Sequence, residues 1–255
     1  MINRQLFILT GASRGLGAAM AEQLLDAGHS LLCISRGARA ELAQQAGRRG
    51  TELEQWSLDL AQAEAAAQRL RPWLDARSTS GYSQVTLINN AAALTRIAPL
   101  SEVDLPDLAH ALRVGLEAPL LLSAVFLKAT EAWPQAGLTR RLLNISSGLG
   151  RRAMASQSPY CAIKAGMDHF TRCVALDEAR KPHGARVCSL APGVIDTDMQ
   201  VELRGASPEQ FPDLGNFTGM KDKGLLSSPG DAATRVLAYL ARPGFGEPAV
   251  GDVRE

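Results

Sequence analysis

Ile8-Leu9-Thr10-Gly11-Ala12-Ser13-Arg14-Gly15-Leu16-Gly17 is an apolar run that meets three glycines and passes into a helical pattern. The segment Gln5–Thr10 reads as a fully buried strand, and residues 15–27 place apolar side chains at helical spacing. A strand that turns through glycines into a helix suits a phosphate. The glycines let backbone come close to it, and the first helical turn offers unpaired N–H groups. The spacing Gly11-x-x-x-Gly15-x-Gly17 differs from the common Gly-x-Gly-x-x-Gly, and a turn that needs glycine for its geometry alone is the plainer alternative. With a strand before and a helix after, a nucleotide cradle is the stronger reading, with Gly11, Ser13, Arg14, Gly15, Leu16 and Gly17 as its candidate residues.

The rest of the chain repeats the unit. Further strand-like segments are Ser30–Ser35, Glu52–Leu58, Gln84–Asn89, Arg141–Ser147, Ala185–Ala191 and, weakly, Ala249–Val253. Helical patterns lie between them at about 38–47, 61–74, 101–133, 159–180 and 229–241. This alternation predicts an α/β fold, a doubly wound parallel sheet with helices on both faces, as a single domain over 1–255. Residues 193–228 break the rhythm with scattered glycines and prolines, and a lid over a binding crevice is the expectation. The last helix has a clear start: Ser228 caps, Pro229 fits the first turn and Asp231 suits the positive end.

Composition narrows the function classes. The chain has 255 residues, 46% hydrophobic and 21% charged, with a formal net charge of +1. That balance gives no field to hold nucleic acid or an anionic membrane. Residues 1–9 show no leader pattern, and the oily run Ala118–Leu127 is too short to span a bilayer, so no membrane association is expected. Cys33, Cys161, Cys173 and Cys188 show no paired spacing, which suits reduced thiols in the cytoplasm. The four histidines are scattered, so no metal is expected.

Cofactor choice is read at the end of the second strand, where a carboxylate would bind a ribose 2′-hydroxyl and repel a phosphate. Here the chain has Ser35-Arg36, about twenty residues past the glycines. Arg14 can converge on the same point, and two guanidiniums without a carboxylate favour a 2′-phosphate, hence NADP(H).

The chemistry is carried by Tyr160-Cys161-Ala162-Ile163-Lys164, with Ser147 upstream. Tyr160 and Lys164 share a helix face, so the lysine cation can stabilise a phenolate and draw the tyrosine down from its ordinary pKa of about 10. A tyrosine tuned in this way protonates the alkoxide left when hydride reduces a ketone. Ser147 would polarise the carbonyl.

Taken together, Thr10–Gly17, Leu58-Asp59-Leu60, Asn89-Asn90-Ala91-Ala92, Asn144–Ser147, Tyr160–Lys164 and Pro192–Thr197 resemble the short-chain dehydrogenase/reductase family over nearly the whole chain. Ile88–Ala91, Tyr160-Cys161-Ala162, Ala191–Gln200 and Asp252 look like its sepiapterin reductase and benzil reductase branch. The resemblance implies a Rossmann-type sheet and a carbonyl reductase acting on a bulky aromatic or heteroaromatic ketone or diketone. It assigns Ser147, Tyr160 and Lys164 to catalysis. It sets Asp59 and Leu60 at the adenine and Asn90 and Ala91 at the ribose, which Lys164 also holds. Pro192, Gly193, Ile195 and Thr197 fall at the nicotinamide, and Gly193 and Asp252 beside the substrate. A homodimer through the helices at 101–133 and 159–180 is implied as well.

Two positions depart from the family. Gly115 stands where an asparagine fixes a water that links the lysine to solvent, and a relay through backbone and water alone is the expectation. Ala92 replaces a frequent glycine. An NAD-dependent alcohol dehydrogenase and a non-catalytic NADP(H)-binding sensor are the competing readings.

Overall fold

The computed structural model of the protein describes residues 4–133 and 137–255. Residues 1–3, where the leader reading begins, lie outside the described residues. Seven parallel strands are ordered β3-β2-β1-β4-β5-β6-β7. They are β1 (Gln5–Thr10), β2 (Ser30–Ser35), β3 (Leu53–Ser57), β4 (Gln84–Asn89), β5 (Thr139–Ile145), β6 (Arg186–Ala191) and β7 (Val250–Asp252). The chain winds outward from β1 through β2 to β3, then restarts at β4 on the other side of β1, so the strand order reverses between β1 and β4. In such sheets a ligand crevice opens at the carboxyl ends beside this reversal.

Both faces are covered, which is why β2 and β4 are buried at every position. On one face α1 (Gly15–Asp26), α2 (Ala40–Arg49) and α9 (Pro229–Ala241) pack Met20, Leu24, Leu25, Leu42, Val236 and Leu240 against Phe7, Leu9 and Leu31. On the other, α3 (Ala63–Asp75), α5 (Ala118–Ala129) and α6 (Ser158–Ala179) close over Leu6, Ile8, Leu32 and Leu87 with Leu70, Leu122 and Phe126. At the start of α9, Ser228 Oγ accepts from Asp231 N at 3.0 Å.

Two expectations are corrected. The pattern at 101–133 is not one helix: α4 (Leu105–Leu112) meets a π-helical turn, Arg113–Glu117, before α5 begins. The continuous run Leu105–Ala129 contains an 18-residue stretch of mean hydropathy 1.4 and is, by length and composition, apolar enough to cross a membrane. Here its apolar side chains Ala118, Leu122 and Phe126 serve the core. The segment 193–228 is not a plain loop, since it carries α7 (Asp198–Arg204) and α8 (Leu214–Asp222). Leu203 of α7, Phe217 of α8 and Phe211 between them form a third cluster with Leu94, Ile97 and Met154.

Candidate active site

A cleft of about 1110 Å³ runs along the carboxyl ends of the strands. One end is the glycine turn. Gly11 and Gly15 take φ of +71° and +55°, which a side chain at those positions would resist. A Cβ on Gly17 would stand 2.1 Å from Gly11 O, so this glycine lets the turn close on itself. The sequence reading gave the glycines to phosphate approach, whereas Gly17 is fixed by the chain's own backbone. The turn still presents what a phosphate needs. Helix α1 starts at Gly15 with no side-chain cap on its first N–H groups, and Ser13, Arg14, Gly15, Leu16 and Gly17 all line the cleft. The residues therefore fit a dinucleotide.

Neighbouring strand ends complete this half. Asn90 Nδ2 donates to Thr10 O and Gly11 O at 3.0 and 3.2 Å, and Thr10 Oγ1 accepts from the Asn90 and Ala91 backbone at 2.9 and 3.1 Å. Asn90 thus shapes the cradle by stitching β4 to the glycine turn, and it lines the cleft with Ala91. Asp59 and Leu60 line the wall beyond β3, with Asp59 Oδ1 held by Ala61 N at 2.9 Å. Arg36 lies exposed on the cleft edge and makes no ion pair among the described residues. Arg14 does not lean toward it: its Nη1 pairs with Asp198 Oδ2 at 3.0 Å across the cleft mouth. Pro192, Gly193, Ile195 and Thr197 form the opposite wall.

Ser147, Tyr160 and Lys164 meet on this wall. Ser147 ends β5 and caps a short turn, Gly148–Gly150, accepting from Leu149 N at 3.2 Å. Its hydroxyl also lies close enough to the Tyr160 hydroxyl to favour the ionised phenol. Ser146 instead lies buried, with its Oγ unpaired. Helix α6 is locked in place by three side chains one turn apart on one face. Lys164 Nζ donates to Ile145 O at 2.7 Å, Asp168 Oδ1 accepts from Ser189 Oγ at 2.6 Å and Thr171 Oγ1 accepts from Asn144 Nδ2 at 2.9 Å.

The electrostatics differ from the sequence expectation. Burial pushes the Tyr160 phenol up to about 12, against the opposing pull of the nearby Ser147 hydroxyl. Here burial outweighs the charge of Lys164, whose Nζ is bonded to Ile145 O and sits 5.6 Å from the Tyr160 ring centroid. Burial pushes Lys164 itself down to about 8, with the Asp168 charge acting in the opposite direction. Tyr160 accordingly holds its proton through the neutral range, the state a proton donor requires. Asp168 escaped the sequence reading. Its spacing of four from Lys164 was the available signal.

At the far end the cleft is apolar, with Leu94, Met154, Met199, Leu203, Phe217 and Met220 contributed largely by α7 and α8. Asp252 is placed differently from its expected role. It is buried on β7, both its oxygens are taken by Arg254, and Arg254 is the residue that reaches the cleft. Gly115 lies in the π-helical turn, where a Cβ would stand 2.8 Å from Ile163 Cγ2, one residue before Lys164. Glycine there admits the close approach of α6, and π-turns shift carbonyls out of the helical ladder.

Known proteins resemble this chain in both sequence and fold. A family model described as short chain dehydrogenase matches residues 5–207. The benzil reductase ((S)-benzoin forming) of Bacillus subtilis is 33% identical over 98% of this chain and 99% of its own. The sepiapterin reductase of Mus musculus is 32% identical over 93% of this chain and 92% of its own. Among solved structures, a protein of Beutenbergia cavernae described as an NAD(P) dependent gluconate 5-dehydrogenase, with bound NADP, superposes at a TM-score of 0.80. It is 28% identical and covers 98% of this chain and 94% of its own.

Proposed function

The chain belongs to the short-chain dehydrogenase/reductase family and is an oxidoreductase, and from that premise we propose that it reduces a bulky aromatic ketone or diketone to the alcohol at the expense of NADPH. In balance, ketone, NADPH and a proton give alcohol and NADP⁺. The observation that carries the reading is the meeting of Ser147, Tyr160 and Lys164 between a phosphate-suited turn and an apolar end.

A bound nicotinamide would supply the hydride. The chain supplies the rest. Ser147 donates a hydrogen bond to the substrate carbonyl oxygen and holds charge as it develops there. Tyr160, protonated at neutral pH, gives its proton to the same oxygen. The Lys164 ammonium stabilises the phenolate that remains. Gly11 to Gly17, Asn90, Ala91 and the Pro192–Thr197 wall would hold the dinucleotide. The B. subtilis and mouse relatives act, by their names, on benzil and sepiapterin, and the apolar end suits ring systems of that size. The test is NADPH consumption by the purified chain with benzil, sepiapterin and simple ketones. No consumption with any of them would remove the reductase reading.

NADP preference is assigned to Arg36, whose exposed guanidinium stands where a carboxylate would select NAD. Arg36→Leu is expected to raise KM for NADPH about ten- to a hundredfold, the value of a charge-assisted hydrogen bond, and to leave NADH almost unchanged. Equal effects on the two cofactors would refute the assignment.

The pH profile follows from Lys164. Its folded-state pKa is depressed to about 8, so the ammonium is present below that value and lost as pH rises through it, while Tyr160 stays protonated. Reduction is expected to be level below about pH 8 and to fall about tenfold per unit above. Asp168→Asn, which removes the charge that raises Lys164, moves the fall to lower pH. A profile flat to pH 10 would contradict this.

We also assign the protein to the cytoplasm and to a homodimer. Its four cysteines are free thiols. Leu105 on α4 and Leu176 on α6 are 78% and 71% exposed, on the helices a partner copy would cover.

A further inference from the structure

We propose that Arg254, oriented by Asp252, donates a hydrogen bond to the second, non-reacting carbonyl oxygen of a diketone, and so selects diketones over monoketones of the same skeleton. The inference rests on the carbonyl-reductase reading above.

Strand β7 places Asp252 opposite Ala191 on β6, immediately before the Pro192–Gly193 wall. The register continues past the strand through Val253 N to Ala191 O at 3.0 Å. The Asp252 side chain is only 7% exposed. It accepts from Arg254 Nε at 2.8 Å, Arg254 Nη2 at 2.6 Å and Arg254 N at 3.0 Å. Arg151 braces the same strand by donating from Nη2 to Gly251 O at 3.1 Å. The guanidinium is thus fixed along one edge. Its other nitrogen, Nη1, has no protein acceptor among the described residues, and the side chain remains 64% exposed on the cleft wall. Arg14, Arg36, Arg152 and Lys164 also line the cleft, but of these described cleft-lining cations only Arg254 forms an ion pair with a buried carboxylate.

Charge decides what such a group prefers. The Asp252 carboxylate balances the guanidinium, so a free anion gains little and must shed its own hydration. A neutral carbonyl oxygen costs little to desolvate and meets a donor already aimed. The amino group of a heterocycle, by contrast, does not reach Asp252, which is buried behind Arg254 and does not line the cleft. From the wall of a cleft whose far end is apolar, Arg254 gives a diketone a second polar anchor that a monoketone lacks. Such an anchor acts equally in the bound substrate and the transition state, so it appears in KM rather than kcat.

The test uses the full chain with NADPH on benzil and on deoxybenzoin, which has the same skeleton and one carbonyl. Arg254→Met is expected to raise KM for benzil about ten- to a hundredfold, with kcat and both constants for deoxybenzoin within about twofold. Arg254→Lys, which keeps a donor, regains part of the loss. Asp252→Asn, with its melting temperature followed as a control for its burial, moves benzil in the same direction. Equal losses on the two substrates, or no loss on benzil, would overturn the assignment to Arg254. A wild-type chain that reduces neither substrate would instead refute the carbonyl-reductase reading, and this inference with it.

Discussion

Tyr160→Phe is expected to lower kcat for ketone reduction by about 10²- to 10⁴-fold, the range that a positioned general acid contributes, and to leave NADPH affinity within about twofold. The substitution removes one oxygen from a ring whose other contacts persist, so α6 stays anchored through Lys164 to Ile145, Asp168 to Ser189 and Thr171 to Asn144. Ser147 would still present its hydroxyl to the substrate, but it has no base to draw a proton through. The residual rate measures what positioning and Ser147 supply without the proton donor. Stopped turnover with an unchanged NADPH fluorescence titration is the predicted pair of results. A variant within about threefold of wild type would move the proton donor to another residue and remove Tyr160 from the mechanism.

Gly17→Ala is expected to be the most damaging small substitution in the cradle. Its Cβ would stand 2.1 Å from Gly11 O and 2.5 Å from Asn90 Nδ2. The first obstacle is backbone, on a turn already fixed by β1 and by the Asn90 bonds, so no flexible side chain can move aside. Overpacking costs about 1–3 kcal/mol where side chains yield and more where they do not. A loss of at least about 3 kcal/mol, read as a lower urea midpoint at unchanged slope, is the expected outcome. NADPH affinity should fall with it, since the same shift opens the first turn of α1. Gly47→Ala provides the contrast: it lies within α2 with open space at its Cβ, so helix propensity predicts a gain of about 0.5–1 kcal/mol. If the two alanines behaved alike, the close approach of Gly17 to Gly11 would have no energetic weight.

Much of the scaffold can be read from local pattern because its signals are local. The strands at 5–10, 30–35 and 84–89 and the helix at 229–241 coincide with the structure, since each is an apolar run or an amphipathic repeat bounded by its own punctuation. The glycine turn is legible for the same reason. What escaped depends on partners far away in the chain. Helices α7 and α8 carry weak periodicity because Leu203, Phe211 and Phe217 bury themselves against Leu94, Ile97 and Met154 rather than the main sheet. The π-helical turn at Arg113–Glu117 faces Ile163 through Gly115, a contact that no spacing within that helix reveals.

The site shows the same division. Ser147, Tyr160 and Lys164 can be picked out as residue types at fixed spacing. Their tuning needs the fold, because Lys164 donates one N–H to Ile145 O and burial outweighs its charge at Tyr160. Asp252 stands out as a carboxylate near the substrate end. Only the tertiary structure shows Arg254 closing over it and taking its place on the cleft wall.

The central claim is that this cleft reduces a carbonyl with a proton from Tyr160. Following NADPH absorbance on addition of benzil, for wild type and Tyr160→Phe side by side, tests it most directly. The account predicts steady NADPH loss and a hydroxy ketone product with wild type, and at most about one-hundredth of that rate with the variant. Equal rates in the two proteins, or a wild type that binds NADPH and leaves every ketone untouched, would contradict it.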